Sequence, residues 1–284
     1  MNEVRRRASA AGPPAAVFGI ALVVWYLARY LLIDPQVSFL LPPPHDVIRV
    51  AFGDPHNLTE LLVALGLSAR VALAGLGIAV IVGVGLAVAM SQAPWVERSL
   101  YPYAVALQTI PILALVPLFG YWFDYSMTSR ILVVVLISLF PIVANTLFGL
   151  RSVDPGAHEL FTLHRANRLT RLVKLQFPAA LPAFFTGLRI SAGASVIGAI
   201  VADFFFQRGQ PGIGQLIFLY PKRLQSEMLF GAVILAALFG LAVFWVFGAL
   251  ARRFTGWHES EQQRPDRILT PRTVAVTGHS KGDT

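Results

Sequence analysis

The residues best equipped for chemistry lie in one segment, RSVDPGAHELFTLHRANRLTRLVKLQFPAALP, residues 151–182. It carries Glu159, the histidines His158 and His164, and the cations Arg151, Arg165, Arg168, Arg171 and Lys174. The two histidines lack the further ligands that a metal site needs. The later run GQPGIG lacks both the Lys-Ser/Thr ending and the strand-turn-helix setting of a nucleotide loop, and the chain has no cysteine for thiol or disulfide chemistry. No catalytic triad is legible, so the chain is expected not to be an enzyme and to hold no cofactor. What remains is recognition. The segment is too polar for lipid and too amphipathic for a mere loop. Such a cationic, helix-prone stretch displays itself to a cytoplasmic partner, and Pro-Ala-Ala-Leu-Pro is expected to stop it.

The elements that position this segment are membrane spans. Hydrophobic residues make up 56% of the chain and charged ones 13%, about half the charge of a soluble domain, and the mean hydropathy is +0.65. The formal charge of +8 lies mainly in polar segments flanking apolar runs, which orients a membrane protein and argues against nucleic acid. Six transmembrane helices are expected in an all-α polytopic fold: about Ala15 to Ile33, Val71 to Met90, Leu100 to Trp122, Ile131 to Leu150, Ala183 to Phe206 and Met228 to Leu250. The first is too long, and lacks the small-residue exit, for a cleaved signal peptide. Leu58 to Arg70 reads as an amphipathic stretch on the membrane surface, and Pro111 and Pro117 mark the third span as lining a path. QLIFLY, after the glycine-rich turn, reads as a re-entrant or surface helix.

Basic residues gather at residues 5–7, 151–174 and 252–253, whereas Asp34, Asp46, Asp54 and Glu60 face Arg49 alone. That asymmetry places both termini and the 151–178 coupling segment inside. The expected division is a cytoplasmic segment at 1–14, a membrane domain at 15–256 and a polar, disordered tail at 257–284.

Polar groups within spans are costly and mark functional candidates. Gln108, Thr109, Asn145, Asp203 and Phe204 are the candidates for a translocation path. Each has a structural alternative: helix-to-helix hydrogen bonding for Gln108, Thr109 and Asn145, loop orientation for Asp203, and interfacial anchoring for Phe204. Arg29 and Arg189 are expected to snorkel toward a membrane surface.

These residues also carry a resemblance. The segment from Glu159 to Phe177-Pro178 is similar to the cytoplasmic coupling motif of permease subunits of binding-protein-dependent ABC importers. That motif starts Glu-Ala-Ala, has a Gly in its middle and ends Leu-Pro. Here Leu160 and Phe161 replace the alanines, Arg165 the Gly and Phe177 the Leu. PAALPAFFTGLRISAGASVIGAIVAD, PGIGQLI, FLLPPPHDVI and QTIPILALVPLFGYWF resemble the nitrate, sulfonate and taurine branch, with Asp203 where that branch commonly has Glu. Together the matches cover about Leu40 to Arg253.

The resemblance implies a type I importer permease fold in a bacterial inner membrane, paired as a homodimer. It implies docking to cytoplasmic ABC ATPase subunits, which bind the ATP and Mg, through His158, Glu159, Leu160, Phe161, His164, Arg165, Ala166, Arg168 and Arg171. An extracellular substrate-binding protein would deliver a small organic solute. The alternatives are an ion-coupled secondary transporter, disfavoured by a nearly uncharged midplane, and a membrane scaffold that recruits a cytoplasmic partner.

Overall fold

The computed structural model describes residues 2–206 and 208–262 and is helical throughout its ordered elements. In chain order these are α1 (Asn2–Leu27), α2 (Pro44–Val47), α3 (Pro55–Gln92), α4 (Pro94–Thr109), α5 (Ile112–Trp122), α6 (Met127–Arg151), α7 (Pro155–Leu163), α8 (Arg168–Arg171), α9 (Phe177–Phe205), α10 (Ile213–Leu219) and α11 (Ser226–Gln262). Among the described residues five helices are long and apolar enough to cross a bilayer, and the pair α4–α5 adds a sixth if it counts as one span.

The core is a hairpin of α6 and α9, and its register is written in small residues. A methyl group added at Gly149 would collide with Ala180, one at Gly187 with the Pro141 carbonyl and Asn145, and one at Gly198 would press on Ile137. Between them, Ser191 Oγ donates to the Ser138 carbonyl (2.7 Å) and Ser138 Oγ donates back to the Ser191 carbonyl (3.4 Å). As one number rises the other falls, so the helices are antiparallel. Lipid supplies no hydrophobic drive between helices, and such close backbone approach supplies dispersion and hydrogen bonding instead.

On the other side of α6, Gly75 of α3 packs on Val134 and Gly83 on Ile142. Both numbers rise together, so α3 and α6 are parallel neighbours, and the chain between them must return from one end to the other. The α4–α5 pair makes that return. Glu97 at the start of α4 forms a bidentate ion pair with Arg151 at the end of α6, while Val116 and Phe119 of α5 pack with Val133 and Phe206 at the opposite end. The pair is therefore a broken span rather than a loop dipping in and out.

The same contacts orient the rest. Trp25 and Tyr26 of α1 reach Pro42 and His45, and Trp25 packs on Phe230 near the start of α11. Phe254 near the other end of α11 stacks on Phe185. Both α1 and α11 thus have their chain-terminal ends on the face that carries Arg151 and α7, hereafter the coupling face. No residue in the membrane window of α1 is fully buried, and apolar side chains such as Val17, Phe18, Ile20 and Val23 face the surroundings.

Four expectations need correction. Leu58 to Arg70 is no surface stretch; it is the first third of the 38-residue α3, launched by Asp54, whose carboxylate accepts from the His56 and Asn57 N–H groups. The third span is not continuous, since Ile110 and Pro111 leave helical geometry and the two halves meet at 98°. The Pro-Ala-Ala-Leu-Pro run does not stop a helix. Pro178 directly follows a π turn at Leu172–Gln176, and one helical rod runs from Arg168 to Phe205 through both Pro178 and Pro182. Finally, α11 continues to Gln262, into the stretch expected to be disordered; residues 263–284 of that expectation lie outside the described residues.

Gly187→Leu should force the α6–α9 hairpin apart and cost about 2 kcal/mol, the scale of core overpacking. Gly193→Leu, where an added Cβ meets nothing within 4 Å, should cost much less. Thermal unfolding of the two purified variants in detergent, followed by size exclusion, checks the contrast.

Candidate functional site

At the coupling face the chain leaves α6 at Arg151 and returns in α9 through a two-part connector. Asp154 opens α7 by accepting from the Ala157 N–H (3.2 Å), with Pro155 in the first turn. The helix closes in a Schellman arrangement: the Ala166 N–H donates to the Phe161 carbonyl (3.0 Å) and the Arg165 N–H to the Thr162 carbonyl (2.9 Å). That closure requires a left-handed residue after the helix, and Arg165 supplies it with φ +49°. Asn167 then caps the next helix by accepting from the Thr170 N–H (2.7 Å), and Arg171 Nε donates back to the Ala166 carbonyl (3.2 Å). At the root, Gln92 Nε2 donates to Gln176 Oε1 (3.0 Å) and Arg151 holds Glu97.

All nine expected docking residues fall on this one projection. None of the residues of α7 is buried. Leu160 is 53% and Leu163 80% exposed; Glu159, Arg165 and Arg168 are exposed, and His158, Phe161 and Ala166 half-buried. His164 is spent partly on its own helix, with Nδ1 2.9 Å from the Leu160 carbonyl. Arg171 is half-buried and ties the turn, so it serves the shape of the projection as well as its charge.

At the opposite face lies a second polar centre. Asp203 has no exposed surface, and its carboxylate meets Arg130 Nη1 at 2.9 Å and accepts the Ser68 hydroxyl. Ser68 Oγ in turn accepts from the Ile213 N–H (2.9 Å) at the start of α10. Arg130 Nη2 donates to the carbonyls of Phe206 (3.2 Å), Arg208 (3.1 Å) and Gln210 (3.4 Å). One buried pair therefore joins α3, α6 and α9 to the following loop. The glycine pattern belongs to the same packing: a methyl at Gly212 would overlap the Asp203 carboxylate, and one at Gly214 the Ile200 carbonyl. The apolar QLIFLY run forms α10, buried against this centre through Ile213 and Leu216.

The path candidates are not brought together. Asp203 is sealed in this network. Asn145 donates to the Pro141 carbonyl (2.8 Å) against Gly187. Gln108 and Thr109 are exposed at the break in the third span, and Thr109 Oγ1 donates to the Ala106 carbonyl (2.9 Å). Phe204 packs edge-on against Phe218 at 4.8 Å. Arg130 and Ser68 escaped sequence reasoning, because Arg130 stands just outside the span expected from Ile131 to Leu150 and Ser68 lies in the stretch expected at the membrane surface. The available signal was register: two spans joined by a connector run antiparallel, which sets the first charge of one level with the last charge of the other.

Comparison with known proteins fits this architecture. Residues 79–256 match the family described as binding-protein-dependent transport system inner membrane component. The chain belongs to that family. It is 30% identical over 262 residues to the formylaminopyrimidine transport permease protein of Halalkalibacterium halodurans, covering 90% of this chain and 100% of that one. It is 32% identical over 219 residues to a putative aliphatic sulfonates transport permease protein of Escherichia coli (77% and 81% covered), and 28% identical over 249 residues to the taurine transport system permease protein of the same organism (86% and 88% covered). The family is one of transport permeases, and the chain is a multi-pass membrane member of it.

Two outcomes are expected. Asp203→Ala should cost about 3–5 kcal/mol by leaving the Arg130 charge buried and unpaired; pairing it with Arg130→Met should restore much of the loss, as a double-mutant cycle of thermal unfolding would register. Arg165→Gly should relieve the left-handed backbone and stabilise the projection by about 1 kcal/mol, seen as slower hydrogen exchange of the Arg165 and Ala166 amides.

Proposed function

We propose that the chain is the membrane subunit of an ABC importer, moving a small organic solute received from an extracellular binding protein and driven by a separate ATPase docked on α7. The observation that carries this reading is the bare helix itself. Leu160 and Leu163 stand exposed on a projection held between α6 and α9. An apolar tip on a polar loop is costly in water and calls for a covering partner. Glu159, Arg165 and Arg168 around it add charge complementarity, which sets register and encounter rate more than affinity.

In this reading the coupling face is cytoplasmic, consistent with the basic residues at 5–7, 151–174 and 252–253, in a bacterial inner membrane. Two copies pair about a two-fold axis. Nucleotide binds the partner ATPase, not this chain, and favours one global state of the complex. Closure of the ATPase pair displaces α7. Because α7 is rooted through Arg151–Glu97 and Gln92–Gln176, the displacement passes to α6, α9, α4 and α3 together. At the opposite face the Arg130–Asp203 pair transmits it to the loop that meets the arriving solute. The broken third span, with Gln108 and Thr109 at its bend, is the part placed to line the path. The relatives' named solutes, a formylaminopyrimidine, taurine and aliphatic sulfonates, support a small organic cargo, with selectivity residing mainly in the binding protein.

Leu160→Asp with Leu163→Asp should abolish co-purification of the ATPase and ATP-dependent uptake in proteoliposomes while leaving the thermal stability of the chain unchanged. Retained co-purification and uptake would overturn the docking assignment. The absence of native cysteine makes Leu163→Cys a clean orientation probe: an impermeant maleimide should label it in inverted vesicles and not in intact cells.

A further inference from the structure

The coupling-face half of the α9–α11 contact leaves a groove of about 660 Å³, within the roughly 300–1,000 Å³ range of ligand clefts. Its walls include Phe185, Thr186 and Arg189 from α9, and Phe244, Gly248 and Arg252 from α11. Among the described residues two guanidinium side chains line it, and none of the lining residues is acidic.

Arg189 is the unusual member. Its backbone lies level with the middle of the hairpin, two residues from Gly187, which packs on Asn145. A charge rooted at that depth must reach polar surroundings. Helical side chains lean toward the N-terminal end of their helix, which for α9 is the coupling face. Arg189 follows that direction: its guanidinium lies 4.0 Å over the Phe244 ring and 3.6 Å from the point where a Cβ would stand on Gly248. Arg252 lies one helical turn further along α11. Among the described residues Arg189 forms no ion pair. Gly248 keeps the groove floor open beneath it, and apart from Thr186 the remaining described walls are aromatic and aliphatic.

We propose that this groove binds the phosphate of an anionic phospholipid from the leaflet on the coupling face. The planar guanidinium of Arg189 is suited to bidentate contact with phosphate oxygens, Arg252 adds a second positive charge at the mouth, and an acyl chain lies along the exposed Ile190 and Phe244. A basic recess between membrane helices, with exposed apolar side chains beside its two cations, matches a headgroup with its attached chains better than it matches a free ion. The site is separate from α7 and from the Arg130–Asp203 centre, and it would fasten α11 to α9 through a lipid.

The test is retention of phosphatidylglycerol against phosphatidylcholine by the purified full-length chain, measured by native mass spectrometry. The wild-type protein should retain the anionic lipid preferentially, and Arg189→Gln and Arg252→Gln should each weaken that retention about fivefold. Gly248→Leu, which fills the groove but keeps both charges, should weaken it as well. Equal retention of the two lipids, or full retention by Gly248→Leu, would overturn the proposal. So would displacement of the lipid by an equal concentration of inorganic phosphate, which would assign the groove to a free anion. Should a variant fail to fold, photoactivatable phosphatidylglycerol on the wild-type chain decides: label within residues 182–190 and 244–252 supports the site, and label confined elsewhere refutes it.

Discussion

Close backbone contact between α6 and α9 is the constraint on which the rest of the molecule depends. In a bilayer the apolar side chains of a helix gain nothing by turning inward, so two spans hold together only where their backbones come near enough for dispersion and short hydrogen bonds. Gly149, Gly187 and Gly198 make the approach possible, and the reciprocal Ser138–Ser191 bonds fix its register. That register delivers Arg130 to Asp203 at one face and Arg151 to the root of α7 at the other. The parallel packing of α3 on α6 through Gly75 and Gly83 then obliges the intervening chain to cross back, and the broken α4–α5 span is the consequence.

Charge burial follows a related logic. A lone carboxylate or guanidinium would be expensive at the depth of Asp203 and Arg130, but each answers the other, and their remaining hydrogen-bonding capacity goes to Ser68 and three loop carbonyls. Full satisfaction makes such a pair tolerable rather than stabilising in its own right. Its structural value is that five separate segments meet at one point, so the loop after α9 cannot shift without the spans beneath it.

Much of this was legible in the sequence. The apolar runs located the spans, the charge asymmetry grouped the termini with residues 151–178, and the segment from His158 to Arg171 emerged as one projection. The misreadings share a cause. Pro178 and Pro182 were expected to end a helix, yet both lie inside one, whereas the third span, expected to run through Pro111 and Pro117, breaks at Pro111 and not at Pro117. Leu58 to Arg70 looked interfacial because its polar residues alternate with apolar ones, but tertiary contacts through Leu61, Ala64 and Ser68 draw it into α3. The partnership of Arg130 with Asp203 depends on residues 73 positions apart, and no local pattern announces it.

The hairpin also has a geometrical consequence. Its two serines hold each other near the midpoint, while α7 hangs from one end and the carboxylate–guanidinium knot from the other. Because those serine bonds lie inside the hairpin, α6 and α9 move as one body, and a displacement imposed at the α7 end is carried to the opposite face instead of being absorbed between the two helices.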